Sequence, residues 1–158
     1  MRRSAAVCAA AFIVVLAVSA CWDRSIRVLH VAEALPYLLA AILVLRGHKL
    51  GYALGSAAGA FWLFTATCRT SFVRNGFARL AHGDWSRPDL LIAVPAALAT
   101  GGLALFCAIG YARLPRKAWS DVLLFAGAFV LVAAFFLTIF AAFAPRYLEL
   151  FRGLLPLP

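Results

Sequence analysis

The chain has 158 residues, of which 65% are hydrophobic and only 13% charged, with a mean hydropathy of +0.95 and a formal net charge of +9. A water-soluble domain carries roughly a quarter charged residues, so a soluble fold is excluded, and no charged tail or Gly/Ser linker divides the chain. The basic residues, nearly all arginine, are scattered through the polar connections, as suits anionic headgroups; nucleic acid would call for a concentrated basic stripe with interleaved aromatics.

Apolar runs matched against the ~20 residues needed to cross hydrocarbon predict five spans in one transmembrane domain covering residues 1–158. They are Ala5–Trp22, Val28–Leu45, Leu50–Cys68, Leu90–Ala112 and Val122–Ala144. The runs are continuous and not alternating, which rules out a closed β-barrel and predicts an all-α integral membrane bundle. Arg2 and Arg3 lead into the first run, and Val18-Ser19-Ala20-Cys21 resembles a bacterial lipoprotein cleavage box. Cleavage there would leave four spans and a lipidated Cys21. The run is longer than the 7–15 residues of a signal core, so span one is read as an uncleaved helix.

Span two opens with a polar stripe. Arg27, His30, Glu33 and Tyr37 are spaced three, three and four apart and share one helix face. Glu33 is the one ionisable side chain well inside any span, ~8 Å deep at 1.5 Å per residue. A carboxylate in hydrocarbon costs several kcal/mol unless paired, neutralised or wetted, so it marks a candidate site for a ligand or proton. The plainer role is an ion pair that fixes helix packing. The tight Arg46-Gly47-His48-Lys49 hairpin makes spans two and three antiparallel. Thr65, Cys68 and Arg69 of span three, Asp89 before span four, and Thr138 of span five then share the depth of Glu33. Glu33 with Arg69 is the expected inter-helix ion pair.

Span three carries Gly51, Gly55 and Gly59 at every fourth position, a face that admits a close neighbour. Packing against span two or four is favoured over a homo-oligomer seam or a partner protein's docking face. Between spans three and four, residues 69–89 predict an amphipathic interfacial helix, with Phe72, Val73, Phe77, Leu80 and Ala81 on one side and Arg74, Asn75, Arg79 and His82 on the other. This helix would anchor in the headgroups or cover the Glu33 site. Pro95 permits a kink in span four, and Arg146–Pro158 reads as a second interfacial segment.

The four cysteines form no C-x-x-C pair, which argues against disulfide exchange. A disulfide between Cys21 and Cys68 is open to them in an oxidising periplasm, while Cys8 and Cys107 read as buried thiols. A lone His30-x-x-Glu33 supplies too few ligands for a metal, and no cofactor is implied. Basic residues are nearly balanced between the two faces; the signal-like start and both lysines favour the N-terminus inside.

These features predict a small multi-pass protein of the bacterial inner membrane without catalysis of its own. It would serve as an accessory or assembly subunit, or bind a lipid or small ligand in an outer-leaflet polar pocket around Glu33. The alternative is an oligomeric solute or proton transporter with Glu33 as the titrating group. A membrane enzyme using His30 and Glu33 ranks last, because no nucleophile accompanies them in the sequence.

Overall fold

The computed structural model describes residues 1–115 and 117–151, with the backbone alone for Asp89; these residues form an all-helical bundle. Its helices are α1 (Arg2–Trp22), α2 (Arg27–Leu45), α3 (Lys49–Phe64), α4 (Phe72–Ala81), α5 (Pro88–Leu91), α6 (Ala93–Ala112) and α7 (Ser120–Phe143). Among the described residues, four helical stretches are long and apolar enough to cross a membrane: α1, Arg24–Leu45, α6 and α7. The chain is a multi-pass membrane protein. The segment expected as the third span is wound two ways, since α3 has 16 residues of regular helix and continues for 5 more, Thr65–Arg69, as a π-helical turn.

Helices α1, α2, α3 and α6 close a ring in which α1 touches α2 and α6, and α3 touches the same two from the other side. Helix α7 packs outside the ring on α3 and α2. Spacing explains the choice of faces. α1 buries Ala5, Ala9, Phe12 and Leu16, and α2 buries Leu29, Glu33, Tyr37, Ala40 and Val44, each a stripe at steps of three and four. The outward faces stay apolar because they meet lipid: Val122, Leu123, Val130 and Leu131 of α7 are all exposed.

Helix α3 is the most enclosed, and its glycines are the reason. A Cβ on Gly51 would stand 2.5 Å from the Val44 backbone nitrogen, and one on Gly59 would stand 2.5 Å from the Thr100 carbonyl oxygen. The glycine face thus packs internally, against α2 at one end and α6 at the other. Gly47, at φ +76°, turns the chain between α2 and α3 in a conformation that side chains resist.

The expected fourth span is interrupted as its proline permits: α5 ends at Leu91 and α6 begins at Ala93, and Pro95 has no N–H to offer the Leu91 carbonyl. In α4, Val73 and Gly76 are the buried residues, while Phe77 and Leu80 stay exposed. Gly76 has no side chain to hold the Leu90 carbonyl away, so the helix docks along that narrow line and its bulkier apolar residues face outward. The tail also folds back onto the bundle. Pro145–Phe151 is a 3₁₀ segment whose buried Phe151 stacks on Phe61 at 6.2 Å. Residues 152–158, the rest of the predicted interfacial segment, lie outside the described residues.

Candidate functional site

One end of the ring holds a cavity of about 370 Å³ enclosed by all the long helices and by α4. That end gathers the close of α1, the start of α2, the π turn after α3, the start of α6 and the close of α7. In the topology with the N-terminus inside, it is the outer end. Polar and apolar groups share the lining: α1 and α2 contribute Ser19, His30 and Glu33 beside Phe12, Leu16, Trp22 and Leu29, and α3 and α7 contribute Phe61, Trp62, Phe136 and Phe140.

The polar wall is a hydrogen-bonded chain. His30 Nδ1 lies 2.7 Å from Glu33 Oε2, and His30 Nε2 lies 3.0 Å from Ser19 Oγ. His30 and Glu33 meet because they are one helical turn apart; Ser19 joins them because α1 and α2 are antiparallel neighbours joined by a short turn. That turn is held by Asp23, whose carboxylate accepts from the Ser25 N–H at 2.9 Å and the Ser25 hydroxyl at 2.6 Å. These hydrogen bonds hold the Asp23 carboxyl below the usual carboxylate range, with Arg146 and His30 adding to the effect. Glu33 is 5% exposed, so its pairing with His30 offsets the desolvation that an acid at this depth incurs.

The π turn forms the facing wall. An extra residue in a helical turn re-aims side chains, and such turns recur at functional sites. Here it directs Thr65, Ala66 and Thr70 toward the cavity. The Thr65 hydroxyl is buried and has no hydrogen-bond partner among the described residues. Phe72 and Asn75 of α4 complete the wall, so the loop helix does border the Glu33 site.

The other predicted site residues go elsewhere. Tyr37 lies below the cavity, fully buried, and donates to the Ala58 carbonyl at 3.0 Å while packing on Phe12. Arg27 caps the preceding helix by donating to the Ala20 carbonyl at 2.7 Å. Arg69 does not pair with Glu33: its guanidinium donates to the Leu150 carbonyl and lies 5.7 Å from the Phe151 ring centre. The returning tail captures it, and the acid is left to its own helix neighbour. The Asp89 side chain lies outside the described residues. Thr138 turns back on the Ala134 carbonyl and is exposed, away from the site. Cys21 and Cys68 are free and exposed, so no disulfide joins them, while Cys107 is buried and Cys8 partly so.

Sequence reasoning missed a second buried acid. Asp121 is 6% exposed at the opposite end of the bundle. It accepts from Lys49 at 2.7 and 2.9 Å, from the Tyr111 hydroxyl at 2.8 Å and from the Ala118 N–H at 3.0 Å. The cluster ties the start of α3, the end of α6 and the start of α7. All of the carboxylate's capacity is used in fastening helices, which marks it as structural. No family model matches the chain, and no curated protein or solved structure matches it either.

Proposed function

We propose that the chain is a bacterial inner-membrane protein, inserted with its N-terminus inside, that binds an amphiphilic small molecule in the outer-leaflet cavity. The observation that carries this reading is the mixed lining of the 370 Å³ space, where the Ser19–His30–Glu33 chain lies among the aromatic rings of Phe12, Phe61, Trp62, Phe136 and Phe140. Its size falls in the ~300–1,000 Å³ range of small-molecule sites. A lining of both kinds suits one molecule with a polar head and an apolar body.

Charge narrows the head. Asp23 and Glu33 line the cavity, and among the described residues no lysine or arginine does so. An anionic carboxylate or phosphate would add like charge beside these two acids. Uncharged, hydroxyl-rich heads are favoured, with Ser19, Thr65, Thr70 and Asn75 to bond them.

An ether-linked monoalkylglycerol carrying a nitrobenzoxadiazole at its chain end tests this, because Trp22 and Trp62 line the cavity and would transfer excitation to it. Saturable transfer in detergent is expected, weakened about tenfold or more in Asn75→Phe and poorly competed by a free fatty acid of equal length. Non-saturable transfer that is equal in wild type and variant would refute the reading.

A further inference from the structure

The chain of contacts that forms the polar wall has the order of a hydrolase's catalytic triad. A hydroxyl, an imidazole and a carboxylate follow one another, Ser19 Oγ to His30 Nε2 at 3.0 Å and His30 Nδ1 to Glu33 Oε2 at 2.7 Å. A triad is recognised by these geometric roles and not by sequence position or fold. With Nδ1–H donated to Glu33, Nε2 is left as the acceptor for the Ser19 hydroxyl proton. All three residues line the cavity. The nucleophile whose absence placed enzyme chemistry last is therefore supplied by the preceding helix.

We propose that Ser19 is the nucleophile of an acyl-ester hydrolase site within the membrane, with His30 as its general base and Glu33 as the residue that positions His30. The proposal rests on the amphiphile-binding reading above and names the reactive bond: the carboxylic ester of an uncharged single-chain lipid such as a monoacylglycerol. Ser19 Oγ attacks the ester carbonyl carbon while its proton passes to His30 Nε2. The tetrahedral adduct collapses, its bond to the alkoxy oxygen breaks, and His30 returns the proton to that leaving oxygen. Water then attacks the acyl-Ser19 carbonyl, giving its proton to His30. The Ser19–acyl bond breaks, and the His30 proton restores the Ser19 hydroxyl. One ester and one water become one acid and one alcohol.

The adduct's oxyanion needs a preorganised donor in a dry site. Thr65 fits that role, since its hydroxyl is buried, unpartnered among the described residues, and lines the same cavity. The product carries a carboxylate, which the acidic lining disfavours, so the charge pattern that admits the uncharged ester also promotes release.

The test treats the purified full chain with a decyl fluorophosphonate and, separately, with 1-monooctanoylglycerol. Covalent labelling of Ser19, located by peptide mass, is expected together with ester turnover. Ser19→Ala should lose both while keeping its thermal midpoint. Glu33→Gln should lower kcat ~10²-fold or more with KM nearly unchanged, since it disturbs only the orientation and tautomer of His30. Thr65→Val should lower kcat ~10²-fold with labelling slowed in parallel. If wild type binds the ether probe but is neither labelled at Ser19 nor faster than Ser19→Ala on the ester, the catalytic proposal is overturned and the binding reading stands. Absence of probe binding and of labelling together removes both. An intact mass lacking residues 1–20 also overturns it, because Ser19 would leave with them.

Discussion

At the scale of single residues, the bundle satisfies its polar groups both along helices and across them. Glu33 takes His30 one turn away, whereas Arg27 takes a carbonyl of α1. Tyr37 crosses to α3. Because the Ala58 carbonyl also serves its own helix, Tyr37→Phe should cost only about 1 kcal/mol in a reversible detergent unfolding measurement. The Asp121 cluster behaves differently. Asp121→Ala strands the Lys49 ammonium, the Tyr111 hydroxyl and the Ala118 N–H at once, whereas Lys49→Ala leaves the acid two donors. The thermal midpoint should therefore fall further for Asp121→Ala, and equal losses would show that the ion pair alone matters. The sequence disclosed Glu33 and His30 because their spacing on one helix is fixed. It hid Ser19, which meets them only after a turn has been closed. It hid Asp121 too, since an acid at a span boundary looks like part of a loop until its three donors converge on it.

At the scale of elements, small residues decide which helices come close. Gly59→Ala would push a Cβ to 2.5 Å from the Thr100 carbonyl, an atom of backbone that cannot swing aside. It should destabilise the protein by ~1–3 kcal/mol. Gly127→Ala in α7 meets nothing within 4 Å and should be neutral or gain up to ~1 kcal/mol of helix propensity. Midpoints moving together in the two variants would contradict the packing described for α3. The five apolar runs located every long helix to within a few residues, because hydrocarbon leaves a segment few other ways to satisfy its backbone. Pro95 foreshadowed the break before Ala93, whereas the π turn was not legible, because no residue type in Thr65–Arg69 calls for it.

At the scale of the whole molecule, the ring of four helices with α7 outside concentrates polar chemistry at one end and a purely structural clasp at the other. The connections at the cavity end use one device twice. Asp84 accepts from the Ser86 N–H at 3.0 Å and the Ser86 hydroxyl at 2.6 Å, as Asp23 does from Ser25. Those hydrogen bonds, with Arg79 nearby, hold its carboxyl below the usual range as well. The sign follows from linkage. A carboxyl with a depressed folded pKa lends stability above its ordinary range and loses it as pH falls through the folded value. Thermal midpoints should hold through neutral pH and drop once acid passes below the usual carboxylate range, with an Asp23→Asn/Asp84→Asn double variant showing a shallower acid limb. A limb unchanged in the double variant would assign the acid sensitivity to other groups.

The free thiols have a practical consequence. Cys21 and Cys68 are exposed at the cavity end, while Cys107 is sealed in the core. The unaltered protein thus carries its own compass. A membrane-impermeant maleimide added to intact spheroplasts should tag those two positions if the cavity opens outward, and neither before lysis if it opens inward. No engineered cysteine is needed to learn which side of the membrane would deliver whatever the cavity takes in.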